Sequence, residues 1–269
     1  MKIFNKSFYF RVLLTLNFGF LHSNSFETLK QEYQRILENY NSGVTGGFAI
    51  TKEDDYINHY INKLKAIKES LELLKDDRTK YFNSDINSQI ASMVQHAKGI
   101  SNSYDSYSIL VSTKKNLLDL ISSEVFKGLE KSIRSDSYRI LGDVNLSLLR
   151  YLGGGELIKV SNEAKNALEK SLEIDQNALA SISLSTWFLY SPRIAGGNPR
   201  EAIKLALAGL AVSNNKVEKY LANIWVSQGY FLLKKQKEQE KYLREAANIF
   251  PNGAFHKMVR DKNKIGELP

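Results

Sequence analysis

Apolar residues recur at intervals of three and four along most of this chain, and strict apolar–polar alternation is rare. That period marks one face of an α-helix, so the pattern predicts an all-α fold. Residues 26–40 place Leu29, Tyr33, Ile36, Leu37 and Tyr40 on one helical face. The run from Asn41 to Phe48 holds three glycines and reads as a loop. Thr51, with Asp54 three residues on, forms a capping-box pattern. A long helix follows, with Tyr56, Tyr60, Ile61, Leu64, Ile67, Leu71 and Leu74 inward. It ends at Asp76-Asp77. Acidic residues oppose the dipole at a helix C-terminus, so either the helix runs on or a turn begins there. Residues 83–98 carry a weaker face of Ile86, Ile90, Met93, Val94 and Ala97, with Gly99 as a stop. Residues 101–108 are a loop or the start of a helix. Residues 113–133 read as one helix with Leu117, Leu120, Ile121, Val125, Leu129 and Ile133 on its core face.

From Asp136 the chain repeats itself. Three helix–turn–helix units span 137–175, 177–213 and 216–251. Aligned on the ends of their second helices, Gln176, Asn214 and Pro251 correspond, 38 and 37 residues apart. A helix pair repeated at such a spacing is the mark of an α-solenoid. Residues 252–266, with Phe255, Met258, Val259 and Ile265, read as an amphipathic helix covering the open end. The division expected is a leader over 1–25, an N-terminal helical region over 26–135, three hairpins over 136–252, and a capping helix with tail over 253–269.

The second helices resemble tetratricopeptide repeats (TPRs). Ala164 and Ser171, Ala202 and Gly209, and Gln239 and Ala246 fall at the two small-residue positions of that pattern; Gln239 departs from it. Proline follows a second helix once, as Pro251. The spacing is longer than the usual 34 or so, with the surplus in the turns. The turns GGGE (153–156) and AGGNPREA (195–202) are similar to those of the T-component of TRAP-type periplasmic transporters. That resemblance implies an exported helical bundle with a ligand-accessible channel and no chemistry of its own.

The N-terminus adds a destination. Lys2, Lys6 and Arg11 precede an apolar stretch from Val12 to Leu21, and Ser23-Asn24-Ser25 follows with small residues. This pattern predicts a secretory leader cleaved after Ser25, with an apolar stretch too short to span a bilayer. The mature protein is then expected in the periplasm or otherwise exported, with no transmembrane segment. The chain has no cysteine, which excludes disulfides, thiol chemistry and a lipoprotein anchor, and leaves core burial as its source of stability. Its abundance of Lys, Asn, Ile and Ser fits an AT-rich bacterial genome. The net charge is +8, but three of those charges lie in the leader and the remaining lysines alternate with glutamates. Such alternation is a solvated helix face rather than a nucleic-acid surface.

No constellation of residues supports catalysis, a cofactor or a metal. His59, His96 and His256 lack partners at metal-ligand spacing and read as surface or boundary residues. No GxSxG or P-loop pattern occurs. The Gly153–Gly155 and Gly196-Gly197 runs read as tight turns, with Asn198 as an N-cap and Pro199 at the first helical position. The candidate ligand-binding residues are aromatic: Trp187 and Tyr190 on the first helix of the second unit, Trp225 and Tyr230 on that of the third, and Tyr151 at the end of that of the first. Arg193, in the turn after Pro192, is placed to meet an acidic group. These rings either face a partner or fill the seams between units. The function expected is non-enzymatic: binding of a protein or peptide partner, or alternatively of a small apolar or acidic ligand as an accessory of a transport system.

Overall fold

The computed structural model describes residues 25–43, 53–98 and 104–269. The leader reading of residues 1–24, the glycine run beyond Gly43, the Thr51 cap and the Gly99 stop lie outside them. Among the described residues there are twelve α-helices and no strand. They are α1 (Phe26–Ser42), α2 (Glu53–Glu72), α3 (Thr79–Lys98), α4 (Tyr104–Ile121), α5 (Glu124–Gly128), α6 (Lys131–Leu148), α7 (Gly154–Ile174), α8 (Ala178–Tyr190), α9 (Pro199–Val212), α10 (Lys216–Leu232), α11 (Gln236–Ile249) and α12 (Ala254–Lys264). None is long and apolar enough to cross a membrane.

Several helix boundaries differ from the pattern. Helix α2 stops at Glu72, and a turn begins. Asp76 holds that turn: its carboxylate accepts from the backbone and guanidinium of Arg78, whose cation also lies 4.0 Å from the centre of the Phe26 ring. Helix α3 starts at Thr79 rather than at residue 83, because Tyr81 and Phe82 are core anchors within a polar run. The helix expected over 113–133 is broken twice. The hydroxyls of Ser122 and Ser123 bond back to the carbonyls of Asp119 and Leu120, and Ser123 then caps α5. Serine competes with the helical ladder in this way, and the competition ends α4. Leu129 and Glu130 are extended, so the chain turns again into α6. The rephasing exposes Val125 and buries Phe126 in its place.

Helices α6–α7, α8–α9 and α10–α11 are three antiparallel hairpins stacked side by side. Their first helices α6, α8 and α10 are consecutive neighbours, and α12 lies beside α10. Ala164, Ser171, Ala202 and Ala246 of the second helices are fully buried. Small residues there let the paired helices approach closely. Gln239 departs from the pattern for a reason visible in the packing: it reaches the capping helix. Its amide and that of Gln228 both donate to Asn263 Oδ1, at 2.9 and 3.1 Å, and Asn263 donates back to Gln228. In the long turn before α9, Asn198 accepts from the backbone of Arg200 and Glu201, and Pro199 opens the helix, as the sequence implies. Gly197 is required there, since a Cβ would fall 1.8 Å from the Ser191 carbonyl oxygen.

One core runs from Phe26 to Ala167, and smaller clusters fill each later seam. The array curls far enough for α1 to touch α10 and α12, where Lys216 pairs with Glu38 at 3.2 Å. His256 is buried beside this closure rather than on the surface. Its backbone N–H donates to the Tyr220 hydroxyl at 3.0 Å, and its ring nitrogen lies 3.2 Å from the same oxygen. Burial, with Lys257 and Arg260 nearby, holds its pKa below the ordinary value of about 6.5. A depressed folded-state pKa means that the unfolded chain takes up the proton first. Stability from this contact is therefore complete above about pH 6.5 and lost as pH falls below it. The melting-temperature advantage of the native protein over His256→Gln should shrink between pH 7.5 and 5.5.

Candidate functional site

The predicted aromatic residues separate into three environments. Trp187 belongs to the core. It is 5% exposed, in the seam between α7 and α8, and packs with Leu168, Ala180 and Leu184. Its indole N–H donates to both the carbonyl and the hydroxyl of Ser161, at 3.1 and 2.9 Å, so its polar atom is satisfied inside the fold. Tyr151 and Tyr230 are half-buried within the stack. Tyr151 accepts from Gln95 at 3.0 Å and packs against Tyr107; Tyr230 stacks on Tyr242.

Tyr190 and Trp225 lie together at the surface. Tyr190 is 48% exposed and Trp225 half-buried, with ring centres 6.2 Å apart, edge to face. Phe255 continues the row, 5.7 Å from Trp225. These three rings sit on α8, α10 and α12, so they form a strip across two successive first helices and the capping helix beside them. The Tyr190 hydroxyl donates to the carbonyl oxygen of Pro269. Burial raises its pKa, and the nearby Arg150 opposes that shift. Arg193 stands exposed in the adjoining 3₁₀ turn, Arg193–Ala195. The sequence pattern therefore located two members of the strip and missed Phe255.

A second feature was not anticipated. A cavity of about 410 Å³ opens where α1, α3 and α6 face the ends of α8, α9 and α10. On its wall Arg139, 3% exposed, is ringed by carboxylates: Nη2 donates to Asp85 at 3.0 Å, Nε to Asp136 at 2.8 Å, and Nη1 to Asp143 at 3.1 Å. Asp85 also accepts from the Tyr33 hydroxyl at 2.7 Å, and Asp136 from the Asn177 amide. Burial raises the pKa values of Asp85 and Asp143, with Arg139 opposing it. The rest of the wall is mixed, with the amides Gln34, Gln89, Gln176 and Asn214, the charged Lys30, Glu38, Lys216 and Glu218, and apolar side chains such as Leu37 and Ile133. A further cavity of about 450 Å³ lies between α10, α11 and α12. Neither cavity is bordered by Trp187 or Trp225.

The backbone has a known counterpart. The chain is similar to the crystal structure of TTC0263, a thermophilic TPR protein in Thermus thermophilus. The TM-score is 0.54 over 88% of this chain and 99% of that one, at 10% sequence identity. The fold is a TPR-like helical solenoid. At that identity the likeness is one of architecture, carried by hairpin geometry rather than by shared side chains. No protein-family model and no curated protein sequence matches the chain.

Proposed function

We propose that this chain is an exported, non-enzymatic repeat protein that binds a protein or peptide partner along the strip Tyr190–Trp225–Phe255. TPR-like solenoids present a continuous face built from successive first helices, which suits an extended partner. The observation that carries the reading is the continuous row of rings, with Tyr190 exposed at one end and Trp225 and Phe255 partly buried beside it. Trp187 has its indole N–H satisfied inside the core, whereas Tyr190 and Trp225 keep part of their surface open. Aromatic side chains that combine apolar area with a polar tip are the commonest anchors of protein interfaces. A photo-crosslinking residue at position 225 should capture a discrete partner from the native compartment. The same residue at Ile158, exposed on α7, should not. Equal capture from both positions would count against the strip.

Export rests on the leader pattern of residues 2–25. The N-terminal sequence of the secreted protein should begin at Phe26; an intact Met1 on membrane-bound protein overturns it. Ser25 caps α1 by accepting from Thr28, so cleavage at this bond removes the cap, a cost of about 1 kcal/mol.

The second reading is a small-ligand accessory of a transport system, similar to the TRAP T-component. The cavity beside Arg139 favours it, since its volume falls within the range of roughly 300–1,000 Å³ usual for small-molecule sites. Its wall offers charged groups, amides and apolar side chains together, which suits a ligand with both polar and apolar parts. The two readings separate cleanly: ligand binding at the cavity should survive Trp225→Ala and fail in Gln34→Ala, whereas partner capture at the strip should do the reverse.

A further inference from the structure

We infer that residues 265–269 form an intramolecular strap seated on the aromatic strip, and that the partner of the strip is an extended, proline-containing peptide segment that displaces it. The inference rests on the partner-binding reading of the strip and names both its partner class and its regulation. Four observations carry it. The chain reverses directly after α12, where Gly266 adopts a φ of +84° that a side-chain-bearing residue rarely adopts. The reversal is fixed on its own helix: Glu267 pairs with Lys262 at 2.7 Å, and Asn263 donates to the Glu267 carbonyl at 2.9 Å. The segment then leads to the strip, where the Tyr190 hydroxyl donates to the Pro269 carbonyl. Leu268 and Pro269 are half-buried, while Ile265 to Glu267 are exposed.

The seated segment shows what the strip accepts at Tyr190: a main-chain oxygen from an irregular stretch whose Leu268 and Pro269 are half-buried. Proline suits such a site because it donates no backbone N–H and loses little conformational freedom on binding. A strap tethered so close acts as a ligand at an effective concentration of about 1 mM. A partner must outcompete it, and its apparent affinity falls by the fraction of molecules in which the strip is covered.

The chain has no cysteine, so Leu268→Cys in the full-length protein gives a single attachment point for a bimane label, which tryptophan and tyrosine quench on contact. The label should be dim and should brighten several-fold when Trp225→Leu and Tyr190→Leu are added. A synthetic peptide with the sequence of residues 264–269 should brighten it in the native background at millimolar concentration. A scrambled peptide should not. A label that is bright from the start and indifferent to the two substitutions overturns the strap, while crosslinking at position 225 still reports on the strip itself. A quenched label that the cognate peptide cannot release shows that the strip does not take peptide segments, and overturns the partner assignment.

Discussion

Replacing Arg139 with methionine should lower stability by about 3–5 kcal/mol, the usual consequence of removing one member of a buried ion pair. For a domain of this size that is a fall of about 10 °C in melting temperature. The reason lies in what is left behind. Three carboxylates converge on one guanidinium that is 3% exposed, and Asp85 is itself only 9% exposed. Without Arg139 they repel one another at the meeting of α3 and α6, where water reaches Asp85 poorly, while Asp136 and Asp143 are 26% and 23% exposed. Lysine should not rescue, because a single ammonium cannot donate along three directions as the planar guanidinium does. The direction of the pH dependence tests the mechanism. Burial already raises the pKa of Asp85 and Asp143, and losing Arg139 raises them further. A carboxyl whose folded pKa lies above its unfolded value of about 3.9 favours the folded state at low pH and loses that contribution as pH rises through the folded pKa. The Arg139→Met protein should therefore recover part of its deficit on acidification from pH 7 to pH 5, read by urea denaturation. Adding Asp85→Asn should recover part of it at pH 7. A deficit that neither condition reduces would mean that lost packing, not stranded charge, is the cause.

The cluster also shows where a sequence stops being informative. Asp136, Arg139 and Asp143 are spaced three and four apart, a pattern that ordinarily means a solvated helix face. Here the same stripe is turned inward, because Asp85 and Tyr33, from α3 and α1, meet it through tertiary packing alone. Only the interleaving with Ile133, Ile140 and Val144 hinted at burial. The hairpins were legible because their signals are local: Asn198 and Pro199 start α9, and Ala164, Ala202 and Ala246 mark the close faces of the second helices. The break in the helix expected over 113–133 was missed because hydrophobic period alone does not weigh Ser122 and Ser123 against the ladder. His256 was misread for a related reason: its burial depends on Tyr220, 36 residues away.

The two tryptophans occupy matching helices, and their substitutions should have opposite consequences. Trp187→Ala should cost about 3–5 kcal/mol, as truncating a buried tryptophan does, because it empties the α7–α8 seam and strips Ser161 of its donor. Trp225→Ala should cost less, about 1.5–3 kcal/mol, since that ring is only partly buried and its loss leaves no closed void in a seam. It should nonetheless abolish partner capture at the strip and leave the Ser161 contact untouched. Because the chain has only two tryptophans, fluorescence can assign each role. With Trp225→Phe, the emission comes from Trp187 and should be poorly quenched by acrylamide until the protein unfolds. With Trp187→Phe, it comes from Trp225 and should be quenched readily in the folded state. A partner peptide should shield the second protein from quenching and leave the first unchanged. If Trp187 answers to the peptide instead, the seam and not the strip is the binding face. The row of rings on α8, α10 and α12 would then be a packing feature of the array's end.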